Sequence, residues 1–295
     1  MPNDNLQTPS MFLGLRSIGA RLVRQMPGNS LAWLGVLILV LITIAAVAAP
    51  LLATADPQAI NPIRRLRPPS AQHWFGTDHL GRDLWSRAVY GARISLVVGV
   101  AVTTICVSIG LLVGLVAGYW RIADAIIMRV VDGLMAIPAI LLAVALMALT
   151  RASLGNVIFA IAVTETPRVI RLVRSLVLSL REATYVQAAI TSGTPVSNIL
   201  LRHILPSTVG PLVVQATYVF AAAILIEAAL SFLGAGVPSN IPSWGNIISE
   251  GRSFFLLAWW VVLVPGVLLS ITVLAVNVLG DGMRDALDPR LSRVI

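Results

Sequence analysis

Any chemistry in this chain would have to come from a short list of side chains. Glu165, Glu227 and Asp132 are ionisable groups inside or beside long apolar runs, where a charge is costly and ordinarily faces protein, water or a proton path. His73, His79 and His203 are scattered among polar stretches. There is no His-Glu-x-x-His helix and no Gly-x-Ser-x-Gly elbow, and the serines have no evident base at membrane depth. All 21 basic residues are arginine, which removes both a P-loop lysine and a Schiff-base lysine. Cys106 is the only cysteine, so neither an intramolecular disulfide nor a cysteine metal cluster can form. Gly76-Thr77-Asp78 and Gly81-Arg82-Asp83 lack the alternating ligand spacing of an EF-hand and read as turn and helix-cap chemistry, with Asp83 or Asp78 capping an amphipathic stretch from Leu84 to Tyr90. The chain therefore reads as a non-enzyme that binds no metal and no cofactor itself.

A different kind of site stands between two apolar runs. From Leu180 to Ser192 the sequence can form a helix bearing Glu182, Tyr185, Gln187, Ala188 and Ala189. Gly193 supplies a C-terminal stop, and Thr194 can cap a second helix whose first position is Pro195. Leu205-Pro206 and then Pro211 mark the return to the next apolar run. Small side chains on an exposed helix let a partner's cleft close around the backbone, and a short rigid helix transmits a push. An ordinary interfacial amphipathic helix is the alternative.

The elements that hold this segment are apolar. The chain has 295 residues, is 57% hydrophobic and only 12% charged, with a mean hydropathy of +0.89, which describes an all-α polytopic membrane protein. Its net charge of +8 is explained by arginines between apolar runs, where headgroups and topology signals account for them, so no nucleic acid is implied. About 20 apolar residues cross a bilayer. Six transmembrane helices are expected, near Leu31–Leu52, Ile94–Tyr119, Leu134–Leu149, Leu154–Val173, Leu212–Leu233 and Leu256–Leu279. The divisions are a cytoplasmic N-terminal segment 1–30, a first span 31–52, an extracytoplasmic loop with an amphipathic segment 53–93, a core of five spans 94–280 containing the loop 180–206, and a cytoplasmic tail 281–295. Ala53-Thr54-Ala55 resembles a cleavage site, but the length of the run before it favours an uncleaved span. Tyr119 to Asp132 is expected as a loop on the same side as 180–206.

Gly110, Gly114 and Gly118 form a small-xxx-small stripe that admits close helix packing. Pro138 and Pro265 lie within spans and can kink them. Glu165 has Arg168 three residues on, a local pair within one turn. Glu227 carries two open readings, a polar group in the translocation path or subunit contact, and a structural hydrogen bond.

The spacing Gln187-Ala188-Ala189, three residues, Gly193, then His203-Ile204-Leu205-Pro206 resembles the EAA loop of membrane subunits of ATP-binding-cassette importers, with Gln187 in place of the motif's glutamate and His203 at its isoleucine position. The resemblance continues through His73-Trp74-Phe75-Gly76-Thr77-Asp78, Tyr90-Gly91-Ala92-Arg93, Leu230-Ser231-Phe232-Leu233-Gly234, Pro242-Ser243-Trp244-Gly245 and Gly280-Asp281-Gly282 to Asp288-Pro289-Arg290. These segments look like the second membrane subunit of the peptide/nickel importer permeases. That resemblance implies a type I importer permease fold with a cytoplasmic coupling helix. It also implies a homologous second permease, two ATPases carrying ATP and magnesium, an extracytoplasmic substrate-binding protein, and alternating access in a bacterial cytoplasmic membrane. Short peptides are the expected cargo, with nickel complexes or a proton-coupled secondary transporter as the alternatives.

Overall fold

The structure, a computed structural model, describes residues 30–287. Residues 1–29 and 288–295, and with them the expected N-terminal segment up to Asn29 and the end of the tail, lie outside the described residues. Among those described there is no β-strand, only one isolated bridge between Thr77 and Asp83.

The helices follow the apolar runs, with boundaries set by prolines, caps and charges. Helix α1 is Ser30–Val47, and the short α2 (Ala49–Leu52) follows after a break at Ala48, where Pro50 interrupts the donor ladder. Helix α3 is Leu84–Tyr119, 36 residues or about 54 Å, well beyond the roughly 30 Å of a bilayer core. Asp83 caps it by accepting from the Ser86 amide at 2.9 Å. Helices α4 (Arg121–Met135) and α5 (Ala139–Ala148) are separated at Ala136–Pro138 and bent by 88°. Helix α6 is Leu154–Arg181, α7 Thr184–Thr191 and α8 Val196–Asn198. A π-helical turn, Ile199–Ile204, leads into α9 (Leu205–Phe232), then α10 (Trp244–Gly251) and α11 (Trp260–Leu287).

Helices α3, α6 and α9 form the core, through Val98, Val102, Cys106, Val169, Val173, Val219 and Ala223 among others. Between apolar helices in lipid, close packing rather than water expulsion supplies the attraction. The glycine stripe shows how it is achieved here. A Cβ on Gly110, Gly114 or Gly118 would lie 2.5–2.6 Å from Val169, Val173 or Val177 respectively, so three glycines on α3 receive three valines on α6, each series at four-residue spacing. Helix α9 packs on α3 and α11, α1 lies on α11 and α3, and α10 wedges between α9 and α11.

Several expectations change. Among the described residues, four helices (α1, α3, α9 with α8 and the turn before it, and α11) are long and apolar enough to cross a membrane, five if the bent α4–α5 pair is one span. Helix α6 is long enough, with 28 residues, but Glu165, Arg168, Arg171 and Arg174 make it too polar to count on composition. The expected span Leu134–Leu149 is broken because Pro138 cannot continue the helix begun before it. Tyr119 to Asp132, expected as a loop, is helical from Arg121 on.

The expected amphipathic stretch Leu84–Tyr90 is the first turns of α3, with Leu84, Ser86, Arg87, Ala88 and Val89 buried. Trp85 does not anchor at a surface alone. Its indole N–H donates to the Leu52 carbonyl at 2.8 Å, and its ring packs on Trp74 and Phe75. Helix α11 runs through Leu287, into what was expected as tail. Pro211, expected at the return to an apolar run, lies inside α9, whereas Pro265 lies within its helix as expected.

Candidate docking loop

Helix α6 ends at Arg181, and the chain turns at Glu182 and Ala183 before α7 begins. The continuous helix expected from Leu180 to Ser192 is therefore two helices. Ala183, with extended backbone, caps α7 instead of lying on its face. The turn is held by two bonds. Arg181 donates to the Tyr119 carbonyl at the end of α3 (3.1 Å), and Gln187 donates from Nε2 to the Arg181 carbonyl (2.8 Å). Gln187 thus reaches back and satisfies one of the carbonyls left open where α6 stops. A carboxylate there could not donate.

Val186 and, across the turn, Ile199 and Ile204 are fully buried and anchor the loop on the core. Tyr185, Gln187, Ala188, Ile190, Thr191 and Ser192 are exposed. The stop at Gly193 is as expected. Its φ is +75°, the Gly193 amide donates to Ile190, and the Thr194 amide donates to Ala189 at 3.1 Å, the paired bonds of a Schellman turn. Thr194 does not cap the next helix. Pro195 occupies the cap position, one residue before the start expected for it.

Tyr185 Oη reaches the His203 carbonyl at 3.4 Å. His203 is half-buried and Ile204 is buried, so Ile204 provides the apolar anchor that the motif register assigns to His203. Leu205 and Pro206 open α9, with Pro206 in its first turn. The helix continues from the π-turn, so Pro206 is not a stop. The structure brings Glu182, Tyr185, Gln187, Ala188, Ala189, Gly193, Pro195, Leu205 and Pro206 into one projecting unit. Val186, Ile199 and Ile204 are its buried supports; nothing in the local sequence distinguishes them from apolar neighbours such as Leu201, which is exposed.

Glu165 and Glu227 lie elsewhere. Glu165 is buried in α6 and pairs with Arg168 at 3.3 Å, leaving Oε1 without a partner. Glu227 is fully buried in α9 and accepts from Ser231 Oγ at 2.9 Å, leaving Oε2 without one. A Cβ on Gly245 would lie 2.6 Å from Ala228 Cα, so α10 is pressed against the turn of α9 that carries Glu227.

At the opposite end of α3 the structure assembles a polar cluster that sequence reading missed. Asp78 binds Arg82 (2.6 Å) and Arg87, and Glu250 of α10 binds the same two arginines, Arg87 at 2.8 Å. Asp78 and Arg87 are each 1% exposed. Burial opposes the Asp78 charge, but Arg87 and Arg82 outweigh it and hold the carboxyl below its ordinary value. Beside them, Asp83 takes His73 (2.8 Å), Thr54 (2.9 Å) and Ser86, and these hydrogen bonds overcome burial to lower it too. Asp78, His79 and Glu250 could offer ligand atoms within 4.8 Å of one another, but two guanidinium groups already bridge the carboxylates and would repel a cation. The cluster clamps loop, α3 and α10 together; Asp78, Arg82 and Arg87 are near one another in sequence, but Glu250 stands 163 residues from Arg87 and only the fold brings it in.

Comparison with known proteins bears on the whole chain. A family model described as binding-protein-dependent transport system inner membrane component matches residues 91–293. A second, described as the N-terminal TM domain of oligopeptide transport permease C, matches residues 18–69. The chain is 54% identical over 271 residues to a probable peptide ABC transporter permease protein of Sinorhizobium fredii, covering 92% of this chain and 93% of the relative. It is 45% identical over 269 residues to a dipeptide transport system permease protein of Alkalihalophilus pseudofirmus, covering 91% and 88%. It is 42% identical over 273 residues to a probable D,D-dipeptide transport system permease protein of Escherichia coli, covering 92% of each.

Proposed function

The chain belongs to the family of binding-protein-dependent transport system inner membrane components, and from that premise we propose that it is one permease subunit of an ATP-driven importer of short peptides. It is a multi-pass inner-membrane protein and a transporter subunit rather than an enzyme. The observation that carries the coupling role is the projecting helix α7, exposed at Tyr185, Gln187 and Ala188, anchored beneath by Val186 and tied to α6 and α3 through Arg181. A partner ATPase would seat this helix in a surface cleft, and closure of two ATPases around ATP and magnesium would move it with α6 as a lever.

In this reading the chain crosses the membrane six times. Helix α6 crosses with Glu165 against protein, buried and paired to Arg168, and α5 with the bend before it forms the third crossing. The loop 180–206 and the end of α11 face the cytoplasm, and 53–83 with α10 face the binding protein. A homologous second permease completes the path. Peptides are favoured over nickel complexes by the names of the relatives, and a path that accepts varied side chains leaves selection to the binding protein. A proton-coupled carrier is not favoured by the family model and the names of the relatives.

The test is purification of the tagged chain from gently solubilised membranes, followed by reconstitution with its co-purifying chains. Recovery of a second permease and P-loop ATPases, with hydrolysis stimulated by peptide-loaded binding protein, is the expected result. A chain that purifies alone and whose uptake follows the proton gradient would overturn the proposal.

A further inference from the structure

Helix α4 has two unlike faces. Toward the bundle, Asp124 pairs with Arg174 (Nη2 to Oδ2, 2.7 Å), Asp132 pairs with Arg171 (2.8 Å), and Val131 is buried. Away from it, Ile122, Ile126 and Val130 recur at four-residue spacing, a single row along a helix, and are 80%, 65% and 60% exposed. Arg121 and Arg129 are exposed as well. Since both acids of this helix are engaged by arginines of α6, the charge it presents outward is positive.

Its direction is as informative as its composition. Helix α5 packs along α6, so it runs with the bundle, and α4 makes an 88° angle with it. Helix α4 therefore lies across the bundle, in the plane of a membrane that the bundle crosses. Its level is given by its partners: Arg174 stands in the last turns of α6, and the Tyr119 carbonyl just before α4 accepts from Arg181. Trp120 turns the corner, half-exposed, directly after exposed Leu112 and Val116 of α3. An indole at the end of an apolar helix surface marks the headgroup level.

We propose that α4 is an in-plane helix bound to anionic lipid, with Arg121 and Arg129 on the headgroup phosphates and the Ile122–Ile126–Val130 row in the headgroup–acyl boundary. The positive charge of Arg121 and Arg129, left unbalanced on this side of the helix, is complementary to anionic headgroups and commits the face to lipid. Because α4 is tied to α6 by two ion pairs, and α6 leads without interruption to the docking loop, lipid held here steadies the base of that loop. The proposal rests on the membrane assignment but not on the identity of the cargo.

The test uses the complete transporter. Cys106 is buried, so Ile126→Cys adds a single accessible thiol to this chain, which is labelled with a fluorophore before reconstitution with its partners, and Gln187→Cys provides a control on the projecting loop. The complex is placed in vesicles of equal parts phosphatidylcholine and phosphatidylglycerol, with one or the other lipid brominated in its acyl chain. The label at 126 is expected to be quenched, the label at 187 not. Brominated phosphatidylglycerol should quench more strongly, by about fivefold for each arginine engaged, and Arg121→Gln with Arg129→Gln should bring the two lipids to parity. Equal quenching by both lipids in the unsubstituted background would overturn the proposal, as would an unquenched label that cross-links to the second permease. Failure of the chain to remain in alkali-washed membranes would instead refute the membrane assignment.

Discussion

Gln187 Nε2 lies 2.8 Å from the carbonyl oxygen of Arg181, so the side chain at the head of the docking motif closes the end of the helix that precedes it. Gln187→Glu removes the donor and sets an anion against that carbonyl. The substitution is expected to lower stability by about 1 kcal/mol and to loosen α7 before it unfolds the bundle. Hydrogen exchange at residues 184–192 should rise in the variant while exchange in α3 stays unchanged. Equal protection of α7 in both proteins would remove the cap from the account.

The Gly114–Val173 contact predicts a reciprocal pair of substitutions. Gly114→Val forces α3 and α6 apart and should cost about 1–3 kcal/mol, as overpacking does. Val173→Gly removes the Cβ that a side chain at position 114 would meet at 2.6 Å, so the double variant should be more stable than the sum of the two losses implies, by about 0.5–3 kcal/mol. Thermal unfolding of the four proteins in one detergent measures the coupling; strict additivity would mean the helices do not meet there.

On the exposed face of α7, Ala188→Glu is expected to leave insertion and assembly intact and to reduce substrate-stimulated ATP hydrolysis by about tenfold or more, the effect of a misplaced charge at the centre of a contact. Ala188 is a cleaner probe than Gly193, because Gly193→Arg would force an L side chain to φ +75°, costing about 1–2 kcal/mol before any partner is met. Normal stimulated hydrolysis by an assembled Ala188→Glu complex would place the ATPase contact elsewhere.

Acid should unlock the clamp at the other end. The folded-state carboxyl of Asp78 lies below its ordinary value of 3.8, burial being outweighed by Arg87 and Arg82. Its pairing therefore stabilises the fold above that value, and the contribution is lost as pH falls through the lowered one. Asp83 has the same sign. The unfolding temperature of the solubilised protein should fall steeply below about pH 4, and Asp78→Asn should flatten that limb while lowering stability at neutral pH. Arg87→Met, which leaves Asp78 and Glu250 to share Arg82 alone, is expected to cost about 3 kcal/mol. An unchanged acid limb in Asp78→Asn would assign the acid sensitivity to other carboxylates.

The sequence by itself determined the class, most of the helices and the turn at Gly193 between α7 and α8. Apolar runs about 20 residues long have one low-energy solution in a bilayer, because backbone groups must be satisfied within the segment. Gly193 followed by Thr194 needs no distant residue to end a helix. Such features are local, and local features can be read along the chain.

The tertiary structure decided what depends on meetings between distant residues. Arg87 looked like one more interfacial arginine until Asp78 and Glu250, 163 residues away in the latter case, closed around it. The stretch after Tyr119 looked like a loop because Asp124 and Asp132 break its apolar pattern; Arg174 and Arg171 neutralise them and let it stand as helix α4. The split at Glu182 depends on Tyr119 and Gln187 reaching Arg181 from either side. In each case the deciding energy is the pairing of a charge or carbonyl that would otherwise be left bare, and the partner is supplied by the fold rather than by the neighbouring sequence.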